Sequence, residues 1–164
     1  QPTLETLQPG EMSGSGFLER GQTLEQVLER DRKALEIMGY TNQEVADLIG
    51  PLNEKAVKKG SNFDYTAPNG KQYGVKIQAW RGIQGCPWRD RVDGRKSHGG
   101  IDMYLTEKGQ SAEPVHIAGL VRHLAESHGF YEGGSFRVAP EKIVEMFGTE
   151  RVPGSLEKVK ELRI

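Results

Sequence analysis

The chain has 164 residues, a length that suits one domain, since independent cores usually close at roughly 100–200 residues. Its 35% of hydrophobic and 27% of charged residues exclude the fibrous and membrane-spanning classes. The 22 Lys and Arg residues nearly cancel the 23 Asp and Glu residues, so no overall field directs the chain to nucleic acid or to an anionic membrane. A single cysteine, Cys86, cannot form an intramolecular disulfide, which favours a reducing compartment. We therefore expect a soluble, cytoplasmic protein.

The first 22 residues are rich in glycine and proline and poor in apolar positions. This composition is typical of a flexible linker, so residues 1–22 are predicted to form an arm. Residues 23–148 are predicted to form a single α+β domain, because helical patterns are followed by strand patterns and then by helical patterns again. Residues 149–164 should supply a C-terminal helix, capped by Ser155, that packs on or near this domain.

Two capping-box patterns predict the helices at the start of the domain, since in each a Thr is followed three residues later by Gln or Glu. The first helix is predicted to begin after Thr23 and to end at Gly39, and the second to begin after Thr41. The pair Gly50-Pro51 is expected to end the second helix, because proline cannot donate the helical hydrogen bond. A short third helix is then predicted over residues 52–59.

A small antiparallel sheet of three or four strands is predicted in the middle of the chain, with a β-hairpin over about 63–80. Two segments with strand character flank Pro68-Asn69-Gly70, and Asn-Gly is preferred in tight hairpin turns because it accepts positive φ. Further extended segments are predicted over 101–105 and 114–116. The face of the hairpin expected to be buried carries Tyr73, Val75, Ile77 and Ala79.

Two helices are predicted to follow the strands and to pack on the sheet. The first covers about 117–128, with apolar residues on one face and Gly129 at its end. The second begins at Pro140, a residue favoured in the first turn of a helix, and ends at Gly148.

The densest group of chemically unusual residues lies between Trp80 and Asp90, a segment predicted to be a loop. It contains both tryptophans and the only cysteine of the chain. Gly82 and Gly85, just before Cys86-Pro87, allow a sharp bend, and a thiolate at such a bend can be presented to a metal or a substrate. The alternative is that Cys86 is a small buried residue that serves only packing.

Two histidines, His123 and His128, lie near the C-terminal end of the predicted helix over 117–128, where their imidazoles can converge on one ion. Together with Leu120 they resemble the helical half of a two-cysteine two-histidine zinc finger, although the cysteine pair of that family is absent here. Cys86 would supply a single thiolate instead. We therefore predict that Cys86, His123 and His128 bind a divalent transition metal, in the first place zinc.

The fourth position of such a metal site is left open by the sequence. Candidates for it are His98, Asp90, Asp102 and water. Three protein ligands with a water describe a catalytic site, whereas four protein ligands describe a structural one.

Three functions are thus compatible with the sequence, and we favour a small binding or regulatory module built around a Cys/His metal site. One alternative is a small enzyme that uses Cys86 with a histidine, or a metal-bound water. The other is single-stranded nucleic-acid binding through the basic segment 80–96, where aromatic rings can stack on bases and arginines can contact phosphates. The ligand-binding side chains in that segment would be Trp80, Arg81, Trp88 and Arg89.

Overall fold

The computed structural model describes residues 21–88, 97–132 and 137–163. At 79–85 and 97–100, only the course of the backbone is described. The predicted arm over 1–22 lies outside the described residues except for its last two positions.

The described residues form five helices and a four-stranded antiparallel sheet, so the predicted α+β class is confirmed. The helices are α1 (Leu24–Met38), α2 (Asn42–Lys59), α3 (Val121–His128), α4 (Pro140–Phe147) and α5 (Ser155–Val159). The strands are β1 (Phe63–Thr66), β2 (Gln72–Gly85), β3 (Ser97–Glu107) and β4 (Val115–Ile117), which neighbour one another in chain order. None of the helices in the described ranges is long and apolar enough to cross a membrane.

Both predicted capping boxes are present. At the start of α1, the Thr23 hydroxyl accepts the backbone N–H of Gln26, and the Gln26 side chain accepts the backbone N–H of Thr23, both at 3.1 Å. Thr41 and Glu44 make the same pair of hydrogen bonds at the start of α2. These bonds satisfy N–H groups that have no partner inside a helix, and they fix where each helix begins.

The second helix does not end at Gly50-Pro51, because α2 runs through both residues to Lys59. The predicted separate helix over 52–59 is the second half of α2. One buried face continues past the proline and carries Val45, Ile49, Leu52 and Ala56. Burial of this continuous apolar face offsets the roughly 3 kcal/mol that proline costs inside a helix.

The predicted hairpin is confirmed, since β1 and β2 pair antiparallel on either side of its turn. Gly70 has a φ of 89°, as the Asn-Gly pair predicts for its second residue. The side-chain amide of Asn69 donates hydrogen bonds to the carbonyl oxygens of Met146 and Gly148, at 3.1 and 2.9 Å. The turn is therefore fastened to the end of α4.

The two central strands are longer than predicted. β2 continues to Gly85 and pairs with the start of β3 at Ser97, so residues 80–85, predicted to lie in a loop, belong to a strand. The pairing register shifts between Ala79 and Ile83, which marks a bulge. The extension carries the chain to Cys86, one of the three residues predicted to bind a metal.

The helix that follows the sheet begins at Val121 and not at 117. The residues before it are held against β3, where Asp102 Oδ1 accepts the backbone N–H of Gly119 at 3.3 Å. A Cβ at Gly119 would lie 2.6 Å from the backbone oxygen of Ile101, so this close approach requires glycine.

Two apolar clusters hold these elements together. The larger lies between the sheet and the helices, and α5 contributes the fully buried Val159 to it. The predicted Ser155 cap of α5 is wrong, because Gly154 occupies the cap position with a φ of 78°. The smaller apolar cluster joins α1, the end of β2 and α3, and consists of Leu24, Val27, Cys86, Leu120, Leu124 and Phe130.

Candidate metal centre

The thiol of Cys86 is held inside the smaller apolar cluster. Cys86 follows the last residue of β2 and is 1% exposed. The apolar side chains around it come from α1, from α3 and from the segment after α3. The sulfur is therefore positioned by packing from several elements, and it is shielded from bulk water.

The two predicted histidines extend from the same short helix. His123 lies in the first turn of α3, and His128 is its last residue. Gly129 ends the helix with a φ of 62°, and its N–H bonds to the carbonyl oxygen of Ala125 at 3.1 Å. Both imidazoles are half-buried, and their ring centroids are 5.5 Å apart at an interplanar angle of 79°.

The structure brings Cys86, His123 and His128 together. Each residue offers one ligand atom, and these three atoms all lie within 4.8 Å of one another. The distance between Cys86 Sγ and His128 Nε2 is 3.6 Å. Thiolate sulfur and imidazole nitrogen are the donors that zinc takes most often in proteins, together with carboxylate oxygen.

Trp88 forms one wall of this group. Its ring stacks on the imidazole of His128, with centroids 4.1 Å apart and an interplanar angle of 6°. The same ring meets Phe130 edge-on at 5.7 Å. Trp88 therefore fixes the orientation of His128, as the surroundings of a metal ligand commonly do.

Asp102, a sequence candidate for the fourth ligand, makes other contacts. Its Oδ2 lies 3.0 Å from Nε2 of His116, and its Oδ1 accepts the backbone N–H of Gly119. Asp102 is 4% exposed, and the ring of His116 stacks on Tyr104. The Asp102–His116 pair is thus separate from the Cys86, His123 and His128 group.

The remaining predicted site residues have side chains that lie outside the described part of the chain. His98 lies in β3, and Trp80 and Arg81 lie in β2, in stretches where only the backbone is described. Arg89 and Asp90 fall outside the described residues. Nucleic-acid binding by the 80–96 segment therefore stays a prediction, and Trp88, its one described candidate side chain, has one ring face against His128.

Buried charges on another part of the molecule were missed by sequence reasoning. Asp31 is fully buried in α1, and its carboxylate accepts hydrogen bonds from the guanidinium of Arg137 and from Arg30. Asp31 lies on the apolar face of its helix, between Val27 and Leu35. An acidic residue on the apolar face of a helix indicates a buried ion pair, because burial of an unpaired carboxylate is unfavourable in free energy.

Glu132 is a second buried acid that the sequence did not reveal. It is 0% exposed and has a φ of 61°, and neither of its carboxyl oxygens bonds to another described residue. Burial, and secondarily the nearby charge of Asp102, raise the pKa of Glu132 to about 8. The sequence around Glu132 is rich in glycine (Gly129, Gly133 and Gly134), which is typical of a turn and consistent with the positive φ of Glu132, but it does not indicate that the carboxyl is buried.

Comparisons of the chain with protein-family models, with curated proteins and with solved structures find no match.

Proposed function

We propose that this chain is a small metal-binding module in which Cys86, His123 and His128 bind one divalent transition metal, with zinc preferred. The observation that carries the proposal is the convergence of one sulfur and two nitrogens within 4.8 Å. Tetrahedral zinc, with bonds of roughly 2.3 Å to sulfur and 2.05 Å to nitrogen, requires the two donors to lie about 3.5 Å apart. The separation of 3.6 Å between Cys86 Sγ and His128 Nε2 fits that requirement.

The surroundings of the three residues support a metal over a purely packing role. A buried cysteine needs no polar neighbour, yet two imidazoles are directed towards this one. Stacking by Trp88 holds one of these imidazoles in place before any ion arrives. Such ordering lowers the conformational entropy that would otherwise be lost on binding.

Zinc is preferred because of the donor set. A thiolate with two imidazoles is a borderline-soft combination that suits zinc, whereas calcium and magnesium take oxygen donors. The three donors come from the end of β2 and from α3, so binding would tie these two elements together and stabilise the fold.

The test is elemental analysis of protein purified without an affinity tag or added metal. We expect close to one zinc per chain, and loss of that zinc in Cys86→Ser and in His123→Ala. His116→Ala is the matched control, because His116 lies with Asp102 and outside the cluster. A protein that contains no zinc, and takes up none when zinc is added, would contradict the proposal.

A thiol enzyme is the second candidate, favoured by the same 3.6 Å contact, which also suits a hydrogen bond between a thiol and an imidazole. Reactive cysteines are partly exposed, whereas Cys86 is 1% exposed. Alkylation by iodoacetamide separates the two candidates. Modification of Cys86 that is rapid and unaffected by zinc would favour the enzyme, and modification that becomes fast only after chelation would favour the metal module.

A further inference from the structure

We infer that the first half of α1, residues 24–31, is a positioning element for the metal centre, and that binding and release of the metal control how firmly this half is held against the fold. The inference rests on the proposed function and adds its regulation. Occupancy of the site by a metal would thereby be transmitted to the place where the chain enters α1, at the Thr23 cap.

The buried residues of α1 belong to two different apolar clusters. Leu24 and Val27, in its first half, are 4% and 0% exposed and lie in the smaller cluster together with Cys86. The second half contributes three buried residues to the larger cluster, namely Ala34, Leu35 and Met38. The two halves of one helix are therefore held by different parts of the fold.

Two ion pairs mark the boundary between the halves. The carboxylate of Asp31 accepts a hydrogen bond from Arg137 at 2.8 Å, and Arg30 Nη1 lies 2.7 Å from Glu141 Oε1 on α4. The apolar residues of α4 lie in the larger cluster, so these contacts hold the middle of α1 independently of Cys86. Any loosening that begins at the metal centre should therefore end near residue 31.

The metal ligands and the first half of α1 share the smaller cluster. Cys86 is itself a member, and two further members, Leu120 and Leu124, lie just before and within the helix that carries both histidines. A metal bonded to the sulfur and to the imidazoles would fix the end of β2 relative to α3. Leu24 and Val27 pack in the cluster that both elements form, so fixing these elements stabilises the surface against which α1 lies.

The effect must also operate in the opposite direction, because coupling between two binding events is reciprocal. If the metal holds the first half of α1 in place, the packing of Leu24 must in turn raise the affinity for the metal. Coupled sites typically change each other's affinity by roughly 5-fold to 150-fold. We expect Leu24→Ala to lower the affinity for zinc by about tenfold.

The first experiment measures the zinc affinity of the whole chain by competition with a chromophoric chelator. Leu35→Ala is the matched control for Leu24→Ala, since Leu35 has the same side chain on the same helix. Leu35 is also similarly buried, at 6% exposed, but it lies in the larger cluster. Leu35→Ala should bind zinc as the wild type does, and circular dichroism checks that both variants are folded.

The second experiment uses the wild-type chain and so does not depend on a variant that folds. Hydrogen exchange of backbone amides reports local opening of a helix. We expect removal of zinc by a chelator to accelerate exchange in residues 24–31 and to leave exchange in residues 34–38 unchanged.

The outcomes distinguish this inference from the proposed function. Failure of the wild-type chain to bind zinc would refute metal binding and the coupling with it. Zinc binding without a change of exchange in residues 24–31 would overturn the coupling and leave metal binding intact. Equal acceleration in both halves of α1, or equal losses of affinity in the two leucine variants, would also overturn it, because zinc would then stabilise the fold as a whole.

Discussion

Replacement of Glu132 by Gln should change how the stability of the protein depends on pH. The Glu132 carboxyl is 0% exposed, and neither of its oxygens bonds to another described residue. The charged groups near it are the Asp102 carboxylate and Arg137, whose guanidinium donates to the backbone oxygen of Glu132 at 3.2 Å. Burial and the Asp102 charge raise its pKa from 4.5 to about 8.

The sign of the effect follows from the two protonation equilibria. Below about pH 4.5, the carboxyl is protonated in both the folded and the unfolded chain, so it contributes no pH dependence. Between pH 4.5 and about 8, the folded chain retains the proton that the unfolded chain has released, so the free energy of unfolding falls as the pH rises. At about 1.4 kcal/mol for each pH unit, the total loss approaches about 5 kcal/mol.

Glu132→Gln keeps the shape and the positive φ but removes the ionisation. We expect urea unfolding to give similar free energies for the two proteins near pH 5, and a variant that is more stable by several kcal/mol at pH 8. The Cys/His cluster is the same in both proteins, so its own pH dependence cancels in the difference between their free energies of unfolding. The control is Glu161→Gln at an exposed position, which should show no such trend. If the difference between the two free energies of unfolding stays constant between pH 5 and pH 8, the pKa of Glu132 is not raised by burial.

Two further substitutions test the fold. Gly119→Ala should lower the free energy of unfolding by about 1–3 kcal/mol, because its Cβ would overlap a backbone oxygen of β3. Gly74→Ala is the control and should be nearly neutral, because the nearest atom to its Cβ is 3.9 Å away. Equal losses of stability in the two variants would contradict the close approach at Gly119. Asp31→Asn should lower the free energy of unfolding by about 3 kcal/mol, because it leaves the charge of Arg137 without its buried partner. Asp47→Asn on the exposed surface of α2 is its control, and chemical denaturation measures both.

The parts of the fold that the sequence predicts are those set by local chemistry. Thr23 and Thr41 begin helices because their hydroxyls bond to N–H groups three residues away, and this requires no other part of the chain. Gly39 and Gly129 end helices with φ values of 71° and 62°, which glycine adopts without strain. Local signals of this kind can be read from short patterns.

The predicted element boundaries are wrong where tertiary packing overrides a local preference. Pro51 normally ends a helix, but apolar residues on both sides of it are buried on one continuous face. The extension of β2 to Gly85 depends on pairing with β3, which lies after an intervening segment of chain. Neither effect is visible in the residues next to the position concerned.

The candidate site likewise contains some features that the sequence predicts and others that depend on tertiary contacts. Cys86, His123 and His128 could be nominated from residue type and spacing, and the structure places their ligand atoms within 4.8 Å. The stacking of Trp88 on His128 could not be predicted, because it depends on where the end of β2 meets α3. Likewise, the contact of Asp102 with His116 depends on the pairing of β3 with β4, and its contact with Gly119 depends on the path between β4 and α3.

X-ray absorption at the zinc edge, on protein purified without added metal, tests the central claim most directly. We predict one sulfur at about 2.3 Å and two imidazole nitrogens at about 2.0–2.1 Å from the zinc, with a light atom in the fourth position. Loss of the sulfur signal in Cys86→Ser would assign it to the only cysteine of the chain. A spectrum with oxygen donors alone, or with two sulfurs, would contradict a centre built from Cys86, His123 and His128.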